Sequence, residues 1–348
     1  MHDGKLVTSS LRTTTQFYLK CLCLFLFVFS AKGAHAECEK RNLKQFQEYF
    51  QDILLVIYYA NPHFETIDFL KQLYSPVFKN IVFYGDRTQH VDIGEFDHVN
   101  ENGDHGKFRI VYTRNGYYLS RWIKDVLVNY PGYKGYIFMQ DDCIMHFWNY
   151  LNLDKNKIWF GAKTPWHEVF EGYPTTDRPA DPRFRGLHTW FQCISISQTT
   201  DPEYRGWFNT GAGMPQLKNM FGELSRLGLN EERAMLTANF KENGAAWHLV
   251  DFFYFPGRFA GKMLRLCDLF DRVFAEICIP TMLGAMDYLQ NWEEIPFWWT
   301  CFNSGDTLRE QHDPRYYWMH PLKFSYEINR NFALKVFHEQ FYDVLEDE

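Results

Sequence analysis

Ile53-Leu-Leu-Val-Ile-Tyr-Tyr-Ala60 is a continuous apolar run rich in β-branched residues, and Asn61-Pro62 breaks it. A run this short and this uniformly apolar fits a strand buried on both faces, as in sheets covered by helices on either side. Thr66 to Phe78 then carries Ile67, Leu70 and Leu73-Tyr74 at helical spacing, and Asn80-Ile-Val-Phe-Tyr84 is a second strand stopped by Gly85-Asp86. Strand, helix and strand in quick succession make a parallel βαβ unit. The predicted fold class is α/β, a mixed and mostly parallel sheet flanked by helices.

The remaining pattern extends that unit. Lys40 to Asp52 reads as a helical lead-in, and Phe108 to Tyr112 as a short third strand. Tyr117 to Val128 sets Leu119, Trp122-Ile123 and Val126-Leu127 on one helical face, and the strand Tyr136 to Met139 follows. Further strands are predicted at Ile158 to Phe160, Trp190 to Ser197 and Asp251 to Phe255. Helices are predicted over 215–227 and 231–239, with Phe259 to Leu289 mostly helical and interrupted at Pro280. Residues 86–107 and 164–188 read as long loops.

The first forty residues are of another kind. A head with Lys5, Arg12 and Lys20 precedes the apolar run Cys21 to Phe29, and Ala34-His35-Ala36 ends the segment. That order marks residues 1–36 as a secretory signal peptide or, if retained, a short type II signal anchor. Residues 37–348 are expected to form a single domain in the lumen of the secretory pathway, such as the Golgi, or outside the cell. Removing a +3 segment from a chain of net charge −7 leaves −10. An acidic chain without a basic tract is a poor nucleic-acid binder, and no nucleic-acid partner is expected. Cys38, Cys143, Cys193, Cys267, Cys278 and Cys301 remain, an even number in an oxidising compartment, which predicts disulfides.

The chemistry gathers at Gly135-Tyr-Ile-Phe-Met-Gln-Asp-Asp-Cys-Ile144, where an apolar strand runs into Asp141 and Asp142. Ligands in open α/β sheets sit beyond the carboxyl ends of strands, where these carboxylates stand. The plain alternative is a solvated turn, since Asp is common in turns. A divalent cation carrying a phosphorylated substrate is the candidate ligand. Downstream lie Trp207-Phe-Asn-Thr-Gly-Ala-Gly-Met214, then Glu276 among apolar neighbours, then His320-Pro-Leu-Lys323.

In this order and spacing, residues 50–325 resemble the GT-A class of nucleotide-sugar glycosyltransferases. The resemblance implies a Rossmann-like fold with a nucleotide-binding half over about 50–145 and an acceptor-side half over about 146–325. It implies transfer of a sugar from a nucleotide-sugar donor to a hydroxyl of a glycan, protein or lipid, with Mn2+ steadying the diphosphate. The class carries Asp-x-Asp where this chain has Gln140-Asp141-Asp142. Residues two apart on a strand share a face, which makes Asp142 the direct metal ligand and gives Asp141 to ribose or a metal-bound water. The resemblance places His320 in the metal shell, Lys323 on the diphosphate, and Gly211 and Gly213 beside the donor sugar. Tyr58, Tyr59, Asn61 and Asp86, after the first two strands, would meet base and ribose, with core packing the alternative for the tyrosines.

Glu276 is the candidate general base, because a carboxylate among apolar neighbours has a raised pKa. Asp271 and Asp268 are its rivals, and an ion pair with Arg265 or Arg272 is the structural alternative for all three. Gln140 in place of an aspartate supports a second reading, a non-catalytic glycan-binding protein on the same scaffold. A hydrolase finds no support, for the chain has no Gly-x-Ser-x-Gly elbow and no His-Glu-x-x-His.

Overall fold

The computed structural model describes residues 42–86, 107–110, 118–161, 164–165, 190–195, 214–242, 244–299, 308 and 312–344. Leu43–Asp343 form one compact unit; Met1–Asn42 with Val344–Glu348 form another that falls almost wholly outside the described residues, the signal segment with it. The unit opens with α1 (Leu43–Phe50), β1 (Ile53–Tyr59), α2 (Ile67–Tyr74), β2 (Ile81–Gly85), β3 (Lys107–Ile110), α3 (Leu119–Asn129) and β4 (Gly135–Gln140). Next come β5 (Ile144–Met145), β6 (Trp159–Phe160), β7 (Thr164–Pro165), β8 (Trp190–Ser195), α4 (Met214–Arg226) and α5 (Asn230–Phe240). The rest is β9 (Gly244–Trp247), β10 (Phe252–Pro256), α6 (Ala260–Leu269), α7 (Ala275–Gly284), β11 (Glu293–Glu294), β12 (Phe297–Trp299), β13 (Trp318–His320) and α8 (Glu327–Gln340).

Among the described residues, the main sheet has seven strands in the order β11-β6-β10-β4-β1-β2-β3, with β10 the antiparallel member. Every residue of β1 is buried, as its uninterrupted apolar run requires. Alternation sends Leu54, Val56, Tyr136 and Phe138 to one face, where they meet α3, α6 and α7 in the largest core cluster. Fully buried Trp122 of α3 lies 5.3 Å from the Tyr58 ring. The other face is covered by an aromatic layer from α1, α8 and the segments after α2, β5 and α8, including Phe50 on Phe78 at 4.4 Å and Phe147 on Phe341 at 4.7 Å. Each such ring contributes roughly 1.5–3 kcal/mol by leaving water. Two small sheets, β12-β13-β5 and β7-β8-β9, flank the main one.

β4, which leads to the paired aspartates, starts in a tight place. A Cβ on Gly135 would lie 2.1 Å from the Tyr254 hydroxyl. Tyr254 cannot yield, since it stacks on Trp159 at 3.8 Å and donates to the Lys155 carbonyl at 2.7 Å. Gly135→Ala should therefore cost about 2–3 kcal/mol, read as a lower urea midpoint at unchanged slope; an unchanged midpoint would refute the close packing.

Two expectations need correction. The helix expected over 259–289 breaks at 270–274, whereas Pro280 lies inside α7. Proline removes the bond to the carbonyl four residues earlier, that of Glu276, and the His248 N–H donates to that carbonyl at 3.0 Å instead. The helix survives because β9 and its exit satisfy what proline left open. Disulfides were expected, yet Cys143, Cys267 and Cys278 are free, buried thiols. Cys267 and Cys278 sit in the core cluster, packing as small apolar groups; Cys38, Cys301 and the Cys193 side chain lie outside the described residues. No helix among the described residues is long and apolar enough to cross a membrane.

Candidate metal and donor site

β4 stops at Gln140, and a turn carries Asp141 and Asp142 across the carboxyl edge of the sheet. The turn is pinned through its backbone. The Asp141 N–H donates to the Tyr58 carbonyl at 3.0 Å, and the Asp142 carbonyl accepts from the Leu322 N–H at 2.6 Å. Antiparallel pairing of β13 with β5, Met319 opposite Ile144, carries His320 to the same edge. The peptide bond from His320 to Pro321 is cis. Residues far apart in the chain meet here because the small sheet aligns its strands beside the end of β4.

The side chains converge on Asp142, which is buried. Lys323 Nζ donates to Asp142 Oδ2. His320 Nε2 lies 3.1 Å from Asp142 Oδ1, and His320 Nδ1 lies 3.1 Å from Asp251 Oδ2. The imidazole is thus held between two carboxylates. Neither Asp142 Oδ1 nor Asp251 Oδ2 has an aligned hydrogen-bond donor among the described residues, so both contacts are close in distance and open in angle. Asp251 stands immediately before β10, whose pairing places Phe252 opposite Met139. The Gln140 N–H accordingly donates to the Asp251 carbonyl at 2.8 Å.

Charge follows this geometry. Burial raises the pKa of Asp142, but His320 and Lys323 outweigh burial and hold the carboxyl at about 2. Burial, reinforced by the charge of Asp142, lifts Asp141 well above the ordinary carboxylate range. Asp251 is also raised, by burial first, with His320 opposing. Burial would pull His320 down, and Asp251 and Asp142 more than reverse it. Glu276, desolvated in the first place and repelled by Asp251 in the second, reaches about 8 while Trp247 Nε1 donates to its Oε2 at 2.8 Å. Its response to Asp251 and His320 puts Glu276 within electrostatic reach of the cluster.

Ligand atoms of Asp142, Cys143 and His320 lie within 4.8 Å of one another, a set able to hold a cation. Two ligands at right angles and about 2.1 Å from a six-coordinate ion are about 3.0 Å apart, close to the 3.1 Å between Asp142 Oδ1 and His320 Nε2. Oδ1, buried and lacking an aligned donor, is the atom a cation would satisfy. Carboxylate and imidazole therefore fit a divalent ion. Cys143 fits less well, because its Sγ donates to the Asp251 carbonyl at 3.4 Å and burial pushes the thiol well above its usual range. Only a thiolate is a strong ligand.

Of the residues singled out from sequence, Asp141, Asp142, His320 and Lys323 come together, while Glu276 pairs with Trp247 and feels the charge of Asp251 and His320. Tyr58 is buried beneath the cluster, its hydroxyl donating to the Val250 carbonyl at 2.9 Å. Tyr59 is buried and shares a hydrogen bond with Thr66 at 3.1 Å. Asn61 is exposed after β1, and Asp86 is buried after β2. Asp271, just after α6, makes a two-point ion pair with Arg121 of α3, at 2.6 and 3.1 Å, and Asp268 of α6 pairs with Lys124 of α3. Gly211 and Gly213 lie outside the described residues.

Sequence reasoning missed Asp251 and Cys143. Asp251 did carry a signal, a lone carboxylate at the mouth of the apolar strand 252–256. What was hidden is the direction of that strand: antiparallel to β4, it starts where β4 ends.

No family model matches the chain. It is similar to the "Probable glycosyltransferase STELLO1" of Arabidopsis thaliana, with 21% identity over 265 residues, covering 73% of this chain and 27% of that protein. It is also similar to the "Probable glycosyltransferase STELLO2" of the same plant, 26% identical over 142 residues, or 40% of this chain and 15% of that one. The chain thus spans about a quarter or less of the length of these relatives. The comparisons make it a distant homologue of proteins described as probable glycosyltransferases, on a mixed α/β scaffold compatible with that chemistry.

Proposed function

We propose that this chain is a GT-A-like glycosyltransferase domain that moves a sugar from a nucleotide-sugar donor to an acceptor hydroxyl. The observation that carries this reading is the meeting of Asp142, His320 and Lys323 at the carboxyl edge of the sheet, in a chain distantly related to glycosyltransferases. Asp142 and His320 would hold a divalent cation, Mn2+ by the hardness of a carboxylate–imidazole pair. When bound, such an ion offsets the negative charge that grows on the departing diphosphate.

The chain's own groups supply the rest. Lys323, partly exposed, can turn from Asp142 toward a phosphate oxygen as a second point charge. Asp141, pushed by burial toward its protonated form, would face a ribose hydroxyl as a hydrogen-bond partner. Glu276, at about 8, is poised to exchange a proton with an acceptor hydroxyl near neutral pH. The secretory-pathway address expected of residues 1–36 belongs to the same proposal.

The test incubates the protein with a panel of nucleotide sugars and Mn2+, with Mg2+ and Zn2+ in parallel. Release of the nucleoside diphosphate, by transfer or by slow hydrolysis, is the expected result. Silence across the whole panel with every ion would sink the enzyme reading. One feature favours the non-catalytic alternative: Lys323 already balances the charge of Asp142 without an ion. Glycan binding by a protein that releases no nucleotide would decide for it.

A further inference from the structure

Asp251 lies outside the Gln140-Asp141-Asp142 motif, yet the fold brings it to the same point. β10 runs antiparallel to β4 and starts where β4 ends, so Asp251 stands across from Gln140. The neighbouring strand thereby supplies an acidic group beside a motif that has glutamine in its first place. Three donors fix this short segment. The Gln140 N–H and Cys143 Sγ both donate to the Asp251 carbonyl, at 2.8 and 3.4 Å, and the Tyr58 hydroxyl donates to the Val250 carbonyl at 2.9 Å. The backbone at Val250 and Asp251 is thus tied at three points, and Asp251 Oδ2 stands 3.1 Å from His320 Nδ1.

The two nitrogens of His320 face different groups. Nδ1 faces Asp251, while Nε2 faces Asp142 Oδ1, the atom short of a donor. A neutral imidazole carries one proton, so when Nε2 gives its lone pair to a cation that proton must sit on Nδ1, where the Asp251 carboxylate faces it. We propose that Asp251 is a positioning residue that sets the tautomer and ring orientation of His320, so that His320 Nε2 and Asp142 Oδ1 present paired ligand atoms to a divalent cation. The inference rests on the metal reading above and adds a residue that the Gln140-Asp141-Asp142 motif does not contain.

Direct Mn2+ binding, by electron paramagnetic resonance titration of the purified chain without any donor, tests it. Asp251→Leu keeps the bulk and removes the acceptor, and should weaken Mn2+ binding roughly 10–100-fold. Asp251→Asn keeps a neutral acceptor for Nδ1–H and should hold most of the affinity. A purely space-filling role predicts full affinity in both variants. Near-UV circular dichroism of each metal-free variant establishes folding, and Asp251→Ala takes the place of leucine if leucine prevents it, with the loss in alanine against the retention in asparagine as the reading. Wild-type affinity in a folded Asp251→Leu variant, or asparagine as damaging as leucine, would overturn the role of Asp251 and leave the metal site standing. Failure of the wild-type chain to bind Mn2+, Mg2+ or Zn2+ would instead overturn the metal reading, and the role of Asp251 with it.

Discussion

Asp142→Asn should lower donor turnover by roughly a thousandfold, the scale seen when a preorganised charge at a developing anion is removed. The substitution preserves size, so the loss is electrostatic. It also strands a cation, since Lys323 loses the carboxylate it donates to, and His320 loses one of its two carboxylate neighbours. Breaking a buried pair typically costs 3–5 kcal/mol; because the Lys323 side chain is 35% exposed, about 2 kcal/mol is expected after solvent screening. The pH dependence has a definite sign. Asp142 titrates at about 2 against a usual 3.8, so its stabilisation is full above pH 3.8 and fades as pH falls through 2. Chemical denaturation at pH 7 and turnover at saturating Mn2+ separate the two effects. Retention of more than a tenth of the wild-type rate would remove Asp142 from the catalytic centre.

Glu276→Gln should stabilise the protein and slow it. The Glu276 carboxyl titrates at about 8 in the fold against a usual 4.5. Below pH 4.5 the group is protonated folded or unfolded, and its contribution to stability is fully present. Between 4.5 and 8 only the unfolded chain gives up the proton, so stability drains away as pH rises, and above 8 the loss is complete. Each pH unit costs about 1.4 kcal/mol, and with the residue partly exposed the total should be about 3–4 kcal/mol. Glutamine cannot ionise, still accepts from Trp247 and escapes this loss. The melting temperatures of variant and wild type should agree near pH 4.5 and diverge up to pH 8. Parallel curves would show that the carboxyl is not held neutral. If Glu276 exchanges the acceptor proton, the rate falls roughly 10²–10⁴-fold, and the limb of the pH–rate profile near 8 disappears with it. A gain in stability coupled to a loss in rate is the mark of a strained functional residue.

Asp271 shows what the sequence left open. Glu276, Asp271 and Asp268 are similar carboxylates spaced along one helical stretch, and nothing local ranks them. Packing ranks them: Arg121 and Lys124 on α3 pair with Asp271 and Asp268, while Glu276 turns to Trp247 and the cluster. The helix containing Pro280 makes the same point. A proline should break a helix, and here the freed carbonyl finds the His248 N–H just past a strand that the sequence pattern did not reveal. The cysteines were read from their number and expected compartment, but Cys267 and Cys278 are decided by their place in the apolar core.

By itself the sequence determined the βαβ opening, because a strand buried on both faces must be apolar throughout and a covering helix must show its period. It determined that Asp141 and Asp142 follow a strand, since the charges begin where the apolar run ends. Only the tertiary structure decided what those charges meet. Lys323 and Asp142 lie 181 positions apart, and their contact depends on the pairing of β13 with β5. Asp251 depends on β10 running against its neighbours. Strand direction and long-range pairing leave no local trace, because hydropathy records whether a residue is buried and not which residues bury it.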